Sequence, residues 1–274
     1  MYSSNYKTIR GRWSGKNYIV QKKLGAGGIG EIFMVKDDFG MPYAMKVSSD
    51  LVSITKEYGY LERFSAMRFA PKAYELDDCE KDNRVCHYFV MEYVDGDTLR
   101  AILSKEKLSF GSKLDIARII TDVLRGINER GYVYTDLKFE NIMLDRKNRR
   151  IRLIDLGSIT HIGDRVKEYT AMYDRGSWKA GGRIADLSYQ VFAVAILLIA
   201  MLLSRDIDPE KEQLGKILRQ LEKAAYPREL YTLLSDCLEG RISDCCILYE
   251  RLGEIPRRIS PGKKLTYALN AVIA

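Results

Sequence analysis

The hydrophobic pattern of this chain changes period once, after Asp95-Gly96, and that change limits the fold more than any single residue does. Before it, Tyr18-Ile19-Val20 alternates into Leu24, Ile32-Phe33-Met34-Val35 follows a run of glycines, and Tyr43 to Val47 reads as a third strand. Asp37-Asp38-Phe39-Gly40 has the chemistry of a hairpin turn between the second and third strands. One helix interrupts near Ile54 to Phe64, where Ile54, Leu61 and Phe64 recur at helical spacing, and His87 to Tyr93 returns to strand. After Asp95-Gly96 the chain turns helical. Leu114 to Asn128 carries Leu114, Ile116, Ile119, Ile120, Val123 and Leu124; short strands at Ile142-Met143-Leu144 and Ile151 to Ile154 flank the basic turn Arg146 to Arg150; helices resume near Leu187. The pattern predicts an α+β chain in which a β-rich lobe meets an α-rich lobe through a short hinge.

Composition narrows the function classes. With 46% hydrophobic and 30% charged residues the chain is globular, neither disordered nor collagen-like. Its five cysteines, Cys79, Cys86, Cys237, Cys245 and Cys246, include no C-x-x-C pair, and Met1 to Lys7 lacks the apolar core of a secretory signal. A reduced, cytoplasmic protein is expected. Only His87 and His161 are available, which disfavours a His-rich metal site or a Ser-His-Asp hydrolase. The apolar run Val191 to Leu203 is too short to span a bilayer comfortably and reads as a buried helix. Leu265 to Ala274 is apolar except for Thr266 and Asn270, and it follows Arg257, Arg258, Lys263 and Lys264. Two readings of that tail stand: a terminal helix, or the first half of a membrane anchor.

Five elements carry chemistry. Leu24-Gly25-Ala26-Gly27-Gly28-Ile29-Gly30-Glu31-Ile32 holds G-x-G-x-x-G between two strands, where glycines let backbone amides approach phosphates; a dinucleotide fold would need a helix next. Lys46 lies in an otherwise apolar strand and must find an anion or reach outward to water. Glu57, on the following helix, is an available partner, with Tyr60, Leu61 and Phe64 on the same face. In Tyr134-Thr135-Asp136-Leu137-Lys138-Phe139-Glu140-Asn141, Asp136 is suited to accept or orient a hydroxyl proton, Lys138 to neutralise a transferring phosphoryl group, and Asn141 to ligate a hard cation. Asp155-Leu156-Gly157 leaves an apolar strand with a carboxylate placed for a metal. Singly, each has a structural alternative, such as a helix cap. Their order matches what phosphoryl transfer requires.

Over residues 14 to 255 the chain resembles bacterial Ser/Thr protein kinases of the eukaryotic-like (Hanks) type, and among them the sporulation-associated, DNA-activated kinases of spore-forming bacteria. The more specific part of the likeness lies in Gly11-Arg12-Trp13-Ser14-Gly15, Leu51 to Thr55, Lys167 to Thr170, Tyr173 to Gly176, Trp178 and Phe192 to Ala195. The resemblance implies a bilobal protein-kinase-like fold. Its small β-rich N-lobe with one helix would cover residues 14–94, its larger, mainly helical C-lobe 95–255, and a basic and apolar tail 256–274. It implies ATP and Mg²⁺ as cofactors. Gly25, Gly27 and Gly30, within the loop of Ala26, Gly28, Ile29 and Glu31, would cover the phosphates. Lys46 would hold the α- and β-phosphates and pair with Glu57. Met91 matches the gatekeeper, and Glu92, Tyr93 and Val94 the hinge. Leu24, Ile32, Ala44 and Met143 would sandwich adenine, and Asp97 would reach the ribose. Asp136 would be the catalytic base and Lys138 the γ-phosphate contact, with Asn141 and Asp155 as Mg²⁺ ligands.

The sequence departs from that family in places. His-Arg-Asp appears as Tyr134-Thr135-Asp136, so the arginine that clamps an activation-loop phosphate is missing, and activity is expected not to need phosphate at Thr160 or Thr170. Leu156 replaces the Phe of D-F-G. Gly176-Ser177-Trp178 stands near the place of A-P-E, which leaves Arg241 in need of another partner. Gln190 stands where an acid is expected, with Asp186 one turn earlier as a candidate substitute. The short segment after that helix suggests trimmed docking helices. Two basic clusters, Arg146, Lys147, Arg149, Arg150 and Arg152, then Arg251, Arg257, Arg258, Lys263 and Lys264, read either as solvated surface or as a site for DNA or anionic lipid. The expected partners are Ser/Thr-bearing proteins, the chain itself included, and DNA. Two other classes stay open: a nucleotide-binding pseudokinase scaffold and a small-molecule phosphotransferase.

Overall fold

A computed structural model describes residues 7–27, 30–81, 84–224 and 226–257. The chain forms two compact units: the stretch through Asp95 together with Arg152–Gly157, and Gly96–Ile151 together with the chain from Ser158 onward.

The first unit is built on six antiparallel strands, β1 (Thr8–Arg10), β2 (Asn17–Gly27), β3 (Gly30–Lys36), β4 (Pro42–Ser48), β5 (Ala73–Lys81) and β6 (Arg84–Glu92), in the order β1-β2-β3-β4-β6-β5. Alternation sorts their side chains to two faces. Phe33 and Val35, Met45 and Val47, Tyr88 and Val90 bury one face together with Ile9 and Tyr18. Helix α1 (Leu51–Phe64) follows β4; Asp50 caps it by accepting the Ser53 amide at 3.1 Å, and Ile54, Glu57, Leu61 and Phe64 are its buried residues. Tyr60 is only half-buried, with Lys56 over its ring, so it does not share that inward face fully. The β3–β4 turn closes at Gly40, whose φ of +79° favours glycine. Strand β6 starts earlier than expected and ends at Glu92, which leaves Tyr93 beyond it.

Strand β5 was not expected, because Glu75, Asp77, Asp78 and Glu80 disguise it. Three of those acids, Glu75, Asp77 and Asp78, have partners. Asp77 accepts the Trp13 and Ser14 amides, Asp78 the Trp13 indole, and Glu75 the hydroxyls of Tyr18 and Tyr88. They pin the 11–16 loop to the sheet.

The second unit is mainly helical: α2 (Leu99–Lys105), α3 (Phe110–Asn128), α4 (Leu187–Leu203), α5 (Leu214–Lys223), α6 (Arg228–Leu238) and α7 (Cys245–Glu254). Every residue of α4 from Tyr189 to Leu202 is buried, as befits a helix apolar on all sides at the centre of a core. Short strands β7 (Gly96–Thr98) and β9 (Ile142–Asp145) pair antiparallel, as do β8 (Tyr132–Tyr134) and β11 (Ile159–His161). Strand β10 spans Arg150–Leu153. Among the described residues no helix is long and apolar enough to cross a membrane. The apolar tail from Leu265 onward, with Arg258, Lys263 and Lys264, lies outside the described residues.

Gly30 supports the β2–β3 hairpin by close approach: a Cβ there would fall 2.3 Å from the Val47 carbonyl oxygen, whereas none at Gly25 meets an atom within 4 Å. Gly30→Ala should therefore cost about 2 kcal/mol of unfolding free energy in urea titration, and Gly25→Ala less than about 1. Equal losses would show that this approach is not limiting.

Candidate active site

In the first unit, alternation along β4 sends Met45 and Val47 to one face and Lys46 to the other. The Lys46 side chain is 7% exposed and that of Glu57 5%, and their Nζ and Oε2 atoms lie 2.5 Å apart. Inward pairing, rather than outward solvation, is the outcome. Burying two charges is costly unless each is paired, so the geometry of α1 against β4 is tightly specified. The Asp155-Leu156-Gly157 turn belongs to this unit. The Lys56 ammonium donates to the Gly157 carbonyl at 3.0 Å, and the Gly157 amide donates to Asp155 Oδ1 at 3.0 Å. A Cβ at Gly157 would sit 3.3 Å from both Asp155 Oδ1 and Glu57 Oε2, so the two carboxylates border the same residue. Leu156 is buried.

The glycine loop is the tip of the β2–β3 hairpin, with Gly25 opposite Ile32, Ala26 opposite Glu31 and Gly27 opposite Gly30. Glu31 is tied to Lys23 at 2.5 Å and Leu24 is exposed. Gly28 and Ile29 lie outside the described residues. Ala44 and Met91 are register partners and both are buried, as is Val94. Glu92 accepts from Arg152 at 2.5 Å and from the Lys72 amide at 3.2 Å. That pairing corrects the basic cluster expected at residues 146–152: Arg152 is buried and absent from any surface patch.

In the second unit Asp136 is held from several sides. Thr170 Oγ1 donates to its Oδ1 at 2.7 Å and Lys138 pairs with its Oδ2. Asn141 Nδ2 donates to its backbone carbonyl at 3.0 Å, and its own amide donates to Ser158 Oγ at 3.3 Å. Asn141 is buried at the end of a 3₁₀ turn over Phe139–Asn141. With its nitrogen committed to Asp136, the other end of the Asn141 amide is an oxygen, a donor of the kind Mg²⁺ takes. Asp97 accepts from Arg146 at 2.8 Å and Lys105 approaches it at 3.5 Å; Met143 pairs in register with Thr98. Arg146 is thus neutralised as well, and Lys147 and Arg149 stay exposed. In the second basic cluster Arg257 pairs with Asp115 at 2.5 Å. Among the described residues no group of three or more His, Cys, Asp or Glu side chains is placed to hold a metal by itself.

The departures noted in the sequence have structural counterparts. Thr135 is buried, and its hydroxyl bonds the Ser158 carbonyl at 2.7 Å, a neutral link where the family has an arginine. Arg241 pairs locally with Asp236 at 2.7 Å and with Glu239, in an exposed setting. Asp186 does not stand in for Gln190. It caps α4 by accepting the Tyr189 amide at 2.8 Å and binds Arg175, while Gln190 is buried against Asn128. Asp174, which lies in the Tyr173–Gly176 stretch but was given no role there, anchors the segment before α4. Its Oδ2 accepts from the Ser177 amide and hydroxyl at 2.7 Å and from Arg183 at 2.9 Å, and its Oδ1 from the Tyr189 hydroxyl at 2.8 Å. Burial pushes the Asp174 carboxyl up, but the hydrogen bonds from Ser177, Arg183 and Tyr189 outweigh it and hold it below its ordinary value. Thr170 and Ser158 were likewise not picked out as partners of Asp136.

The protein kinase domain family matches residues 18–245. The chain belongs to the protein kinase family. Its α+β architecture, β-rich in the N-terminal part and helical in the C-terminal part, is that of the kinase fold. It is 33% identical over 239 residues to the serine/threonine-protein kinase YabT of Bacillus subtilis, covering 83% of this chain and 69% of that protein. It is 34% identical over 155 residues to calcium-dependent protein kinase 4 of Plasmodium berghei, covering 51% of this chain and 28% of that protein. To the serine/threonine-protein kinase pkn2 of Myxococcus xanthus it is 28% identical over 148 residues, covering 50% of this chain and 17% of that protein. The chain is a protein kinase of the serine/threonine class.

Asp174→Asn should lower stability at neutral pH by about 2 kcal/mol, because a buried carboxylate held by one charged and two neutral partners is lost. The folded pKa of Asp174 lies below its unfolded one, so its contribution is full above about pH 4 and fades as pH falls through the folded value. The gap between variant and wild type should close in that acid range. A gap independent of pH would exclude this carboxylate as the cause.

Proposed function

We propose that this kinase transfers the γ-phosphoryl group of ATP to Ser or Thr hydroxyls of proteins, itself among them, in an Mg²⁺-dependent reaction. The observation that carries the reading is the fixed carboxylate of Asp136, oriented by Thr170 and Lys138, with Asn141 Nδ2 on its backbone carbonyl and 3.4 Å from its Oδ2. The acceptor hydroxyl gives its proton to Asp136 as its oxygen bonds to the γ-phosphorus. The bond from that phosphorus to the β–γ bridging oxygen breaks, and ADP departs. Lys138 offsets charge on the transferring group, and Lys46, oriented by Glu57, holds the α- and β-phosphates. Gly25, Gly27 and Gly30 let the hairpin backbone approach them. Asp155 and Asn141 fit as Mg²⁺ ligands by their oxygen donors, and the ion would neutralise phosphate charge when bound. Positioning and charge compensation supply most of the rate in such a scheme.

Label from γ-³²P-ATP should appear on protein with wild type and fall at least about a hundredfold with Asp136→Asn. Label on nothing would favour a nucleotide-binding scaffold, and label on a metabolite a small-molecule phosphotransferase. The retained Lys46, Asp136, Asn141 and Asp155 weigh against the scaffold.

The neutral Thr135 link supports turnover without activation-loop phosphate. Thr160→Ala should keep wild-type turnover. Thr170 plays a second part, because its hydroxyl orients Asp136, so blocking phosphate there also disturbs the base. Thr170→Val should lose about tenfold in kcat, and Thr170→Ser should recover it. Full activity in Thr170→Val would deny that hydroxyl any role.

Activation by duplex DNA and a role in sporulation belong to the proposal through the sequence resemblance. With Arg152 buried and Arg146 paired, Lys147, Arg149 and Arg150 supply the phosphate contacts. Replacing all three with Ala should flatten the salt dependence of duplex binding. Absence of duplex binding at low salt would remove DNA from the proposal.

A further inference from the structure

Lys113 occupies the first turns of α3, four residues after the capping Ser109, and is 8% exposed. A cation near the positive end of a helix dipole gains nothing from it, and the residue as a whole is largely withdrawn from water. Burial alone lowers its pKa, with no carboxylate contributing, and among the described residues it has no ion pair. Sequence expectations gave this lysine no role, and phosphoryl transfer does not use it.

Lys113 lines a cavity of about 510 Å³ enclosed by α2, the segment leading into α3 and the C-terminal end of α4. That volume lies within the usual range for small-molecule pockets. Leu103, Leu108, Phe139 and Met201 supply apolar wall, and Lys107 is a second, exposed cation on the lining. The remaining cations of the lining are engaged. Arg100 binds Glu140 and Asp206, each at 2.7 Å, Arg205 binds Glu212 at 2.7 Å, and Lys105 lies 3.5 Å from Asp97. Of the two carboxylates on the lining, Asp206 is held by Arg100, and Glu106 is exposed. The cavity therefore presents an apolar body and, on its lining, a largely buried lysine that has no carboxylate partner among the described residues.

We propose that this cavity binds a small amphipathic organic anion, with Lys113 as the ion partner of its head group and the apolar wall receiving its body. A buried ammonium recognises such a head group because both lose water together and neutralise each other. Binding here is independent of phosphoryl transfer, so it can be measured whether or not the chain turns over ATP.

Decanoate, decanol and inorganic phosphate serve as probes in titration calorimetry with the full chain. Decanoate should bind saturably, and decanol and phosphate at least about tenfold more weakly. Lys113→Met should weaken decanoate by at least about tenfold while unfolding at no lower temperature than wild type, because it removes an unpaired buried charge. Equal affinities for decanoate and decanol would show the ammonium idle, and equal affinities for decanoate and phosphate would show the apolar wall idle. Either result overturns the proposal without any variant. So would unchanged decanoate affinity in folded Lys113→Met, or no decanoate binding at millimolar concentration.

Discussion

The ion pair of Lys46 and Glu57 is the constraint on which the first unit turns. Strand alternation leaves Lys46 on the face covered by α1, and the chain pairs it there although an apolar residue would fill the same space at less desolvation cost. Pairing fixes the rotation of α1, because Glu57 must face the strand together with Ile54, Leu61 and Phe64. The rotation in turn presents Lys56 to the Gly157 carbonyl and sets the Asp155 turn beside Glu57. The proposed phosphate contact rests on such a charge, one that packing does not need, held at a defined point beside a second carboxylate.

The second unit solves a different problem, which is holding Asp136 still without the arginine of the wider family. It uses hydroxyl contacts through Thr135, Ser158 and Thr170, together with the ammonium of Lys138 on the carboxylate. A charged clamp would need a phosphate to complete it, whereas hydroxyl contacts are complete as folded. Nearer α4 the holding group is charged: Asp174, buried, is bound by the exposed Arg183 and by the buried Tyr189 hydroxyl, and secures the segment before α4. Arg241 is thereby released to a local surface pair.

Much of this was legible in the sequence, for identifiable reasons. The β2–β3–β4 strands and α1 showed through because each has one apolar face, and the glycine loop, Lys46, Asp136, Asn141 and Asp155 were picked out because phosphoryl chemistry restricts both residue type and order; their roles belong to the proposed function. Strand β5 was hidden because its acids bind a loop some sixty positions away, as between Asp77 and Ser14. Helix α2 was hidden by its length of 7 residues, where the Thr98 cap counts for more than periodicity. The bond from Thr170 to Asp136 joins residues 34 apart, and no local spacing encodes it. Arg152 misled for the same reason: a basic run reads as surface until its partner, Glu92, is seen.

On this reading the Lys46–Glu57 pair sets the placement of α1 for chemistry and adds little to stability. The most direct measurement is unfolding stability and ATP-dependent phosphorylation of the double variant Lys46→Met, Glu57→Leu, side by side. Stability should stay within about 1 kcal/mol of wild type or rise, since apolar replacement of a buried pair is often neutral or better. Phosphorylation should fall at least about a thousandfold. A folded double variant that still phosphorylates protein at the wild-type rate would contradict the account.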